Sequence, residues 1–251
     1  MKNSQTLMPR LNGLSTAVPP HLLRQSDIVD AARQLFGARG AEFERLRPIY
    51  ANTGIETRYS CVPLEWFSEA HGWAERNRLY ASHALDLAQE AATKCLSGAE
   101  LQPQDIDDIV VVSTTGIATP SLDARLMERM PFRRDVHRLP IFGLGCAGGV
   151  LGLGRTAAMA RASVAQNWLL VVVELCGLTF RKGDLSNSNI VASALFGDGA
   201  AAVVISCKGS GPELSRWGEH TWPDSLDVMG WEVEDDGFGV LFSRNIPSLV
   251  R

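Results

Sequence analysis

One cysteine of this chain lies where a thiol could act as a nucleophile. Cys146 stands in the glycine-rich run GLGCAGG, between a predicted strand and a predicted helix. The N-terminus of a helix offers unpaired N–H groups and a positive potential, which lower a thiol pKa and stabilise an oxyanion in acyl transfer. The plainer interpretation is a small cysteine packed into a turn, which holds for most cysteines.

The same turn also fits a dinucleotide-binding motif. Gly143, Gly145 and Gly148 spell G-x-G-x-x-G between a strand and a helix, and Glu174 follows the next predicted strand, where a carboxylate could bind a ribose hydroxyl. That motif has no use for the thiol of Cys146, and no second mononucleotide-binding half lies nearby. An NAD-dependent oxidoreductase is therefore the weaker hypothesis.

The elements that must position this turn alternate between strands and helices, which predicts α/β layers. Runs of apolar residues are typical of strands covered on both faces by helices. We predict strands at 11–18, 109–112, 138–142, 168–173 and 200–206, helices at 26–36, 73–96, 121–130 and 147–165, and alternating segments at 213–221, 228–233 and 238–243. Ser26 and Asp27 are candidate caps for the first of these helices, and Gly37 is its predicted end.

Composition excludes several classes of protein. The chain has 251 residues, 45% of them hydrophobic and 21% charged, which is typical of a globular protein and not of a disordered one. A net charge of −4 gives no drive toward nucleic acid or an anionic membrane, and no apolar run is long enough to span a bilayer. Five scattered cysteines lack the spacing of a zinc site or a disulfide framework, so we expect a reducing cytoplasm and no metal.

Four segments together resemble the type III polyketide synthases, the chalcone and stilbene synthase family of the thiolase fold. In family order they are VVSTTGIATPSLDARL, GLGCAGGVLGLGRTAAMA, LTFRKGD with ALFGDGAAAVVI, and DVMGWEVEDDGFGVLFSRNIPSLV. The resemblance runs over about residues 10–251 and favours a bacterial member. It implies a thiolase-like α/β fold in αβαβα layers, with the N-terminal half at 10–207 and the beginning of the C-terminal half at 213–251. A condensing enzyme similar to ketoacyl-ACP synthase III is the alternative within this fold.

The resemblance implies an acyltransferase mechanism. A starter acyl-CoA acylates Cys146, malonyl-CoA loses carbon dioxide, and the resulting carbanion attacks the thioester. Family members are homodimers, and CoA thioesters are their substrates, so no separate cofactor is expected.

The resemblance also assigns the walls of a substrate cavity. Phe196 matches a gatekeeper phenylalanine, and Val240 stands, by its spacing from Pro247, where plant enzymes carry a second one, which predicts a wider passage. The remaining cavity residues that the family implies are Thr114, Thr115, Glu174, Cys176 and Thr179. Thr119 matches a residue that reaches into the partner's cavity across the dimer. Gly197, Asp198 and Gly199 have the composition of a tight turn.

Two basic residues are candidates for the CoA phosphates. Arg45 matches a basic residue of the family that precedes its Arg-Tyr pair, here Arg58 and Tyr59, and Arg47 is the neighbour of a second such position. The alternative, which fits the sequence equally well, is that the two arginines lie on a solvent-exposed helix face and bind no ligand.

Family enzymes also use a histidine and an asparagine, each in a glycine-flanked motif, and neither motif is found here. The five histidines are His21, His71, His83, His137 and His220, and none has His-Pro-Gly-Gly surroundings. We therefore expect the N-terminal portion of a synthase, which accepts an acyl group but condenses poorly or not at all by itself. The alternative is a non-catalytic partner that docks on a complete subunit.

Overall fold

The computed structural model describes residues 7–243 and residue 246. They form two compact units, each discontinuous in sequence. The first contains the described residues within Met1–Ala17, Ala81–Glu174 and Gly199–His220, and the second contains those within Val18–Tyr80, Leu175–Asp198 and Thr221–Arg251. The division between 207 and 213 that the resemblance implies stays a prediction, and Pro247, the reference for the alignment of Val240, lies outside the described residues.

The described chain contains the following strands and helices. The strands are β1 (Arg10–Ala17), β2 (His21–Arg24), β3 (Thr57–Ser60), β4 (Asp108–Val112), β5 (His137–Ile141), β6 (Asn167–Leu175), β7 (Asp198–Ser206), β8 (Met229–Glu234) and β9 (Gly237–Phe242). The α-helices are α1 (Gln25–Phe36), α2 (Ala41–Leu46), α3 (Pro48–Asn52), α4 (Trp73–Gly98), α5 (Leu122–Arg129), α6 (Gly148–Ala162) and α7 (Asn187–Leu195).

A five-stranded mixed sheet forms the centre of the first unit, in the order β1-β7-β6-β4-β5. β4 runs parallel to β5 and β6, whereas β1 pairs with β7 in antiparallel orientation. All five residues of β4 are buried, as its β-branched run predicts. Helix α6 approaches β4 closely, because a Cβ on Gly148 or Gly152 would stand 2.9 Å from a methyl group of Val112.

The second unit contains two antiparallel strand pairs, β2 with β3 and β8 with β9. Its helices α1, α2, α3 and α7 share one apolar core. Phe36 and Phe43 stack there with ring centroids 6.1 Å apart. The buried residues of this core are Ile28, Ala32, Phe36, Phe43, Tyr50, Ile190 and Ala194.

Most predicted elements form, and the differences have local reasons. Helix α1 begins at Gln25, so Ser26 lies inside its first turn and bonds Asp27 instead of capping the helix. The alternating segment 213–221 forms only an isolated antiparallel bridge, between Glu213 and Arg10 at the beginning of the edge strand β1. Helices α2, α3 and α7 and strands β2 and β3 were not predicted. Except for α7, these elements have only four to six residues, too few for a clear hydrophobic period.

Within the described residues, no helix is long and apolar enough to cross a membrane. The longest, α4, has 26 residues and carries charged side chains along its length.

Candidate active site

The turn between β5 and α6 has a backbone that only glycine adopts easily. Gly143 has φ +90° and Gly145 has φ +54°, in the left-handed region that a Cβ disfavours. Gly148 is required for another reason, its close approach to Val112 of the neighbouring strand. The glycines predicted from the motif therefore shape the turn and seat the helix on the sheet.

Cys146 lies on this turn, in the single 3₁₀ turn Gly145–Ala147 that leads into α6. Its side chain is exposed, whereas Cys61, Cys95 and Cys207 are buried and Cys176 is half-buried. Cys146, exposed at the start of a 15-residue helix, is therefore not the packed cysteine of the plainer interpretation, and its role as a nucleophile stays a prediction.

The carboxylate of Glu174 is held by the loop that follows β4. The backbone N–H of Thr114 donates to both carboxylate oxygens at 3.0 Å, and the Thr115 hydroxyl donates to Oε2 at 2.8 Å. The N–H of Gly145 donates in turn to Thr114 Oγ1 at 3.2 Å. This network ties the end of β6 to the cysteine turn, and it occupies the carboxylate that the dinucleotide hypothesis assigned to a ribose.

The electrostatics of the turn oppose ionisation of the thiol. Although Cys146 is exposed at the surface, the surrounding protein atoms remove part of the hydration of its thiol and raise its pKa, and the negative charge of Glu174 raises that pKa further. Burial likewise raises the pKa of Glu174, against the hydrogen bonds from Thr114 and Thr115. The pKa of Cys146 is therefore raised and not lowered as expected, because desolvation and the charge of Glu174 both oppose ionisation. A thiolate nucleophile here needs a basic or cationic partner.

The second unit contains a cavity of about 80 Å³. Four of the predicted cavity residues line it, namely Cys176, Thr179, Phe196 and Val240. The ring of Phe196 meets Trp231 edge-on, with centroids 6.1 Å apart. Thr179 is buried, and its Oγ1 donates to the carbonyl of Cys176 at 2.7 Å, which closes the helical turn that both occupy. Most of the remaining lining is apolar and includes Leu23, Ile28, Leu35, Phe67, Phe180 and Phe238.

Arg58 lines the same cavity and binds the end of α7. Its guanidinium donates to the carbonyl oxygens of Ser193 at 2.8 Å, Ala194 at 2.7 Å and Phe196 at 2.8 Å. These are carbonyls that a helix C-terminus leaves without partners, and a cation there also complements the helix dipole. Arg58 thus fixes the backbone of Phe196, a role for which the sequence offered only the Arg-Tyr pair as a signal.

Asp198 does more than occupy a tight turn. Its buried carboxylate accepts the backbone N–H of Gly177 at 2.7 Å and that of Cys61 at 2.9 Å. Burial and the charge of Asp198 raise the pKa of Cys61, which keeps this thiol protonated. Asp198 therefore anchors the turn that carries Cys176, and sequence reasoning missed this because both partners are remote along the chain.

The other predicted residues lie at the surface. Thr119 is exposed in the loop between β4 and α5. The side chain of Arg45 lies 4.0 Å from Glu42, and Arg47 donates to Glu44 at 2.8 Å. Such pairs three residues apart are typical of a solvated helix face. Neither arginine lines the cavity, and their roles in CoA binding, like that of Thr119 in a dimer, stay predictions.

The predicted residues divide between the two units. The first unit contains Thr114, Thr115, Thr119, Cys146 and Glu174, and the second contains Arg45, Arg47, Cys176, Thr179, Phe196 and Val240. Across the part of the chain that the structure describes, no three or more His, Cys, Asp and Glu side chains are grouped so as to hold a metal ion.

Comparisons with known proteins show the family of this chain. Residues 6–212 match the family of chalcone and stilbene synthases, N-terminal domain. A 1,3,6,8-tetrahydroxynaphthalene synthase of Streptomyces peucetius subsp. caesius is 40% identical over 242 residues, which cover 94% of this chain and 64% of the relative. A putative chalcone synthase of Bacillus subtilis (strain 168) is 35% identical over 252 residues, which cover 95% of this chain and 69% of the relative.

The solved structures show the same architecture. The crystal structure of 1,3,6,8-tetrahydroxynaphthalene synthase from Streptomyces coelicolor A3(2), a bacterial type III polyketide synthase, matches with a TM-score of 0.91 at 32% identity. The match covers 96% of this chain and 69% of that chain. The predicted thiolase-like α/β fold is confirmed, and so is the resemblance to bacterial type III enzymes. This chain spans about 64% of the length of the Streptomyces peucetius relative.

Proposed function

Since this chain belongs to the chalcone and stilbene synthase family, we propose that it is the acyl-accepting part of a type III polyketide synthase, with Cys146 as the nucleophile. The observation that carries the proposal is the exposed thiol of Cys146 on a left-handed glycine turn at the start of α6. Such a turn projects a nucleophile away from the sheet and leaves backbone N–H groups near the reacting carbonyl.

The acylation step transfers one acyl group from sulfur to sulfur. The Cys146 thiolate attacks the carbonyl carbon of a starter acyl-CoA, the C–S bond to CoA breaks, and the leaving CoA thiolate takes up the proton that Cys146 lost. The free thiol has a raised pKa, so the step requires a base or a nearby cation. The resemblance assigns that task to a histidine of the C-terminal half of the family fold.

Extension uses malonyl-CoA. Its terminal C–C bond breaks to release carbon dioxide, and the electron pair remains on the α-carbon as an enolate. That carbon attacks the acyl-Cys146 carbonyl, a C–C bond forms, and the Cys146 thiolate leaves. The enolate oxygen needs hydrogen-bond donors, which the resemblance assigns to the histidine and an asparagine.

The cavity of the second unit supports an acyl substrate. It is lined mainly by apolar side chains, and the polar residues of its lining, among them Arg58, Thr179, Arg181 and Asp198, hydrogen-bond to other groups of the protein. Apolar pockets with few polar groups bind hydrocarbon chains and leave the choice of length to their shape. We propose that Phe196 and Val240 limit the starter chain, that Arg45 and Arg47 contact CoA phosphates, and that the active protein is a homodimer to which Thr119 contributes.

Mass spectrometry of the chain after incubation with hexanoyl-CoA tests the proposal. We expect one acyl group on the peptide that contains Cys146, with release of one equivalent of free CoA. Cys146→Ala should abolish the mass gain, and Cys207→Ala, which removes a buried thiol away from the turn, should retain it. Acylation that is spread over several cysteines, or that persists in Cys146→Ala, would contradict the assignment.

A further inference from the structure

Arg181 connects the turn of the β8–β9 hairpin to the segment that follows Thr179. Only 9% of its side chain is exposed. Its guanidinium donates to Glu234 Oε2 at 2.9 Å and Oε1 at 3.1 Å, and also to a carboxylate oxygen of Asp236. In its own loop it donates to Asp184 at 3.1 Å. One guanidinium thus joins three carboxylates, two of them on the hairpin.

Arg76 binds the same turn from the backbone side. It is 2% exposed, and its Nη2 donates to the carbonyl oxygen of Asp236. Its Nη1 lies 3.3 Å from the carbonyl oxygen of Thr179 and 3.4 Å from that of Phe180. The two arginines therefore attach the hairpin turn to the cavity-lining segment by contacts that are independent of each other.

The hairpin carries one wall of the cavity. Val240 and Phe238 on β9 line it, and Val240 pairs in register with Trp231 of β8. The lining also includes Cys176 and Thr179, which precede Arg181 in the chain, and Arg181 itself. If the hairpin turn is held less firmly by Arg181, we therefore expect the distance between β9 and the segment of Cys176 and Thr179 to change.

Gly239 has no side chain, and the Arg181–Glu234 ion pair occupies the space that a Cβ at this position would take. A Cβ at this position would stand 3.0 Å from Nη2 of Arg181, and it would overlap a carboxylate oxygen of Glu234. The Arg181–Glu234 pair therefore lies across β9 itself, one residue from Val240. A methyl group at Gly239 would displace the Glu234 carboxylate without removing a charge.

We propose that Arg181 is a positioning residue which, through Glu234 and Asp236, fixes the strand of Val240 at the cavity and so determines the length of acyl chain that the cavity accepts. The inference rests on the proposed function for its substrate class. Loss of Arg181 leaves three carboxylates without their shared cation, so the hairpin turn moves outward and the cavity accepts longer chains. The Arg181 side chain is largely buried, so its loss removes charge-assisted hydrogen bonds that water replaces poorly on the arginine side of each pair.

The test measures binding of two stable CoA thioethers, hexyl-CoA and dodecyl-CoA, to the full chain by calorimetry. We expect Arg181→Gln and Gly239→Ala to change the ratio of the two Kd values by about tenfold in favour of dodecyl-CoA, since burial of about two further methylene groups strengthens binding by this order. Arg181→Lys should restore part of the original ratio. Lys182→Gln, which removes the adjacent exposed charge, is the matched control and should leave the ratio unchanged.

The possible outcomes distinguish failure of the inference about Arg181 from failure of the proposed function. If both Kd values change in parallel, or neither changes, Arg181 is only structural and the inference is wrong. If neither thioether binds the unmodified chain, the cavity is not an acyl site and the inference is also wrong. If the thioethers bind but hexanoyl-CoA does not acylate Cys146, the proposed function fails while the role of Arg181 is still measured. Should Arg181→Gln not fold, Glu234→Gln breaks the same pair from its half-exposed side.

Discussion

The backbone N–H of Thr114 donates to both carboxylate oxygens of Glu174, at 3.0 Å each. This arrangement holds a negative charge close enough to Cys146 to raise the pKa of its thiol. The residues that shape the turn and the residues that control ionisation of its thiol are therefore parts of one hydrogen-bonded network.

Glu174→Gln should lower the pKa of Cys146. The Glu174 carboxylate stabilises the neutral thiol relative to the thiolate, so its neutralisation increases the thiolate fraction at a given pH. The rate of iodoacetamide alkylation of Cys146, followed by mass spectrometry against pH, should show its midpoint at lower pH in the variant. Glu90→Gln, a change at an exposed carboxylate of α4, is the control. A midpoint that is unchanged or higher in Glu174→Gln would show that Glu174 does not set this pKa.

Gly148→Ala should destabilise the protein through contact with the sheet. The new Cβ would stand 2.9 Å from Cγ1 of Val112 in a buried strand, and overpacking of this kind costs about 1–3 kcal/mol. Chemical denaturation measures the change in the free energy of unfolding. Gly149→Ala, in the same helical turn with no atom within 4 Å of its Cβ, should be neutral or stabilising.

A double substitution separates this contact from a general effect on the helix. Val112→Ala should relieve the overlap, so the loss in Gly148→Ala/Val112→Ala should be smaller than the sum of the two single losses. Additive losses would exclude the Val112 contact as the cause.

Asp198→Asn should destabilise the second unit. The asparagine amide has one acceptor oxygen, and its NH₂ group would face the N–H of either Gly177 or Cys61, both of which now donate to the carboxylate. A buried donor left without an acceptor costs about 1–3 kcal/mol. Thermal unfolding should show a clear decrease in Tm, whereas Asp235→Asn on the exposed hairpin turn should not. Equal Tm values for the two variants would contradict the anchoring role of Asp198.

Val240→Phe should reduce the length of starter that the cavity accepts. Val240 lines the cavity, and a phenyl ring there adds volume to a site of only about 80 Å³. Overpacking of about 1–3 kcal/mol predicts about tenfold weaker acylation by dodecanoyl-CoA relative to acetyl-CoA. Val233→Phe, on the neighbouring strand at a position 77% exposed, is the control. If the ratio of acylation by dodecanoyl-CoA to acylation by acetyl-CoA is unchanged in Val240→Phe, Val240 does not limit the length of the starter.

Local sequence patterns were enough to predict the layers of the fold and the turn that carries Cys146, the proposed nucleophile. Buried strands such as β4 consist of β-branched residues, and glycines of positive φ mark the Cys146 turn, so both are encoded by local chemistry. The membership of Cys176, Thr179, Phe196 and Val240 in one cavity was also predictable, although only through the resemblance of their motifs to a family.

The tertiary structure alone decided the electrostatics and the anchoring contacts. The sign of the Cys146 pKa shift depends on a carboxylate 28 residues away in the chain, and Asp198 finds its partners 21 and 137 residues away. Arg181 likewise meets Glu234 across 53 residues. Charges and buried hydrogen bonds act through space, and local sequence patterns carry no information about distances that only folding creates.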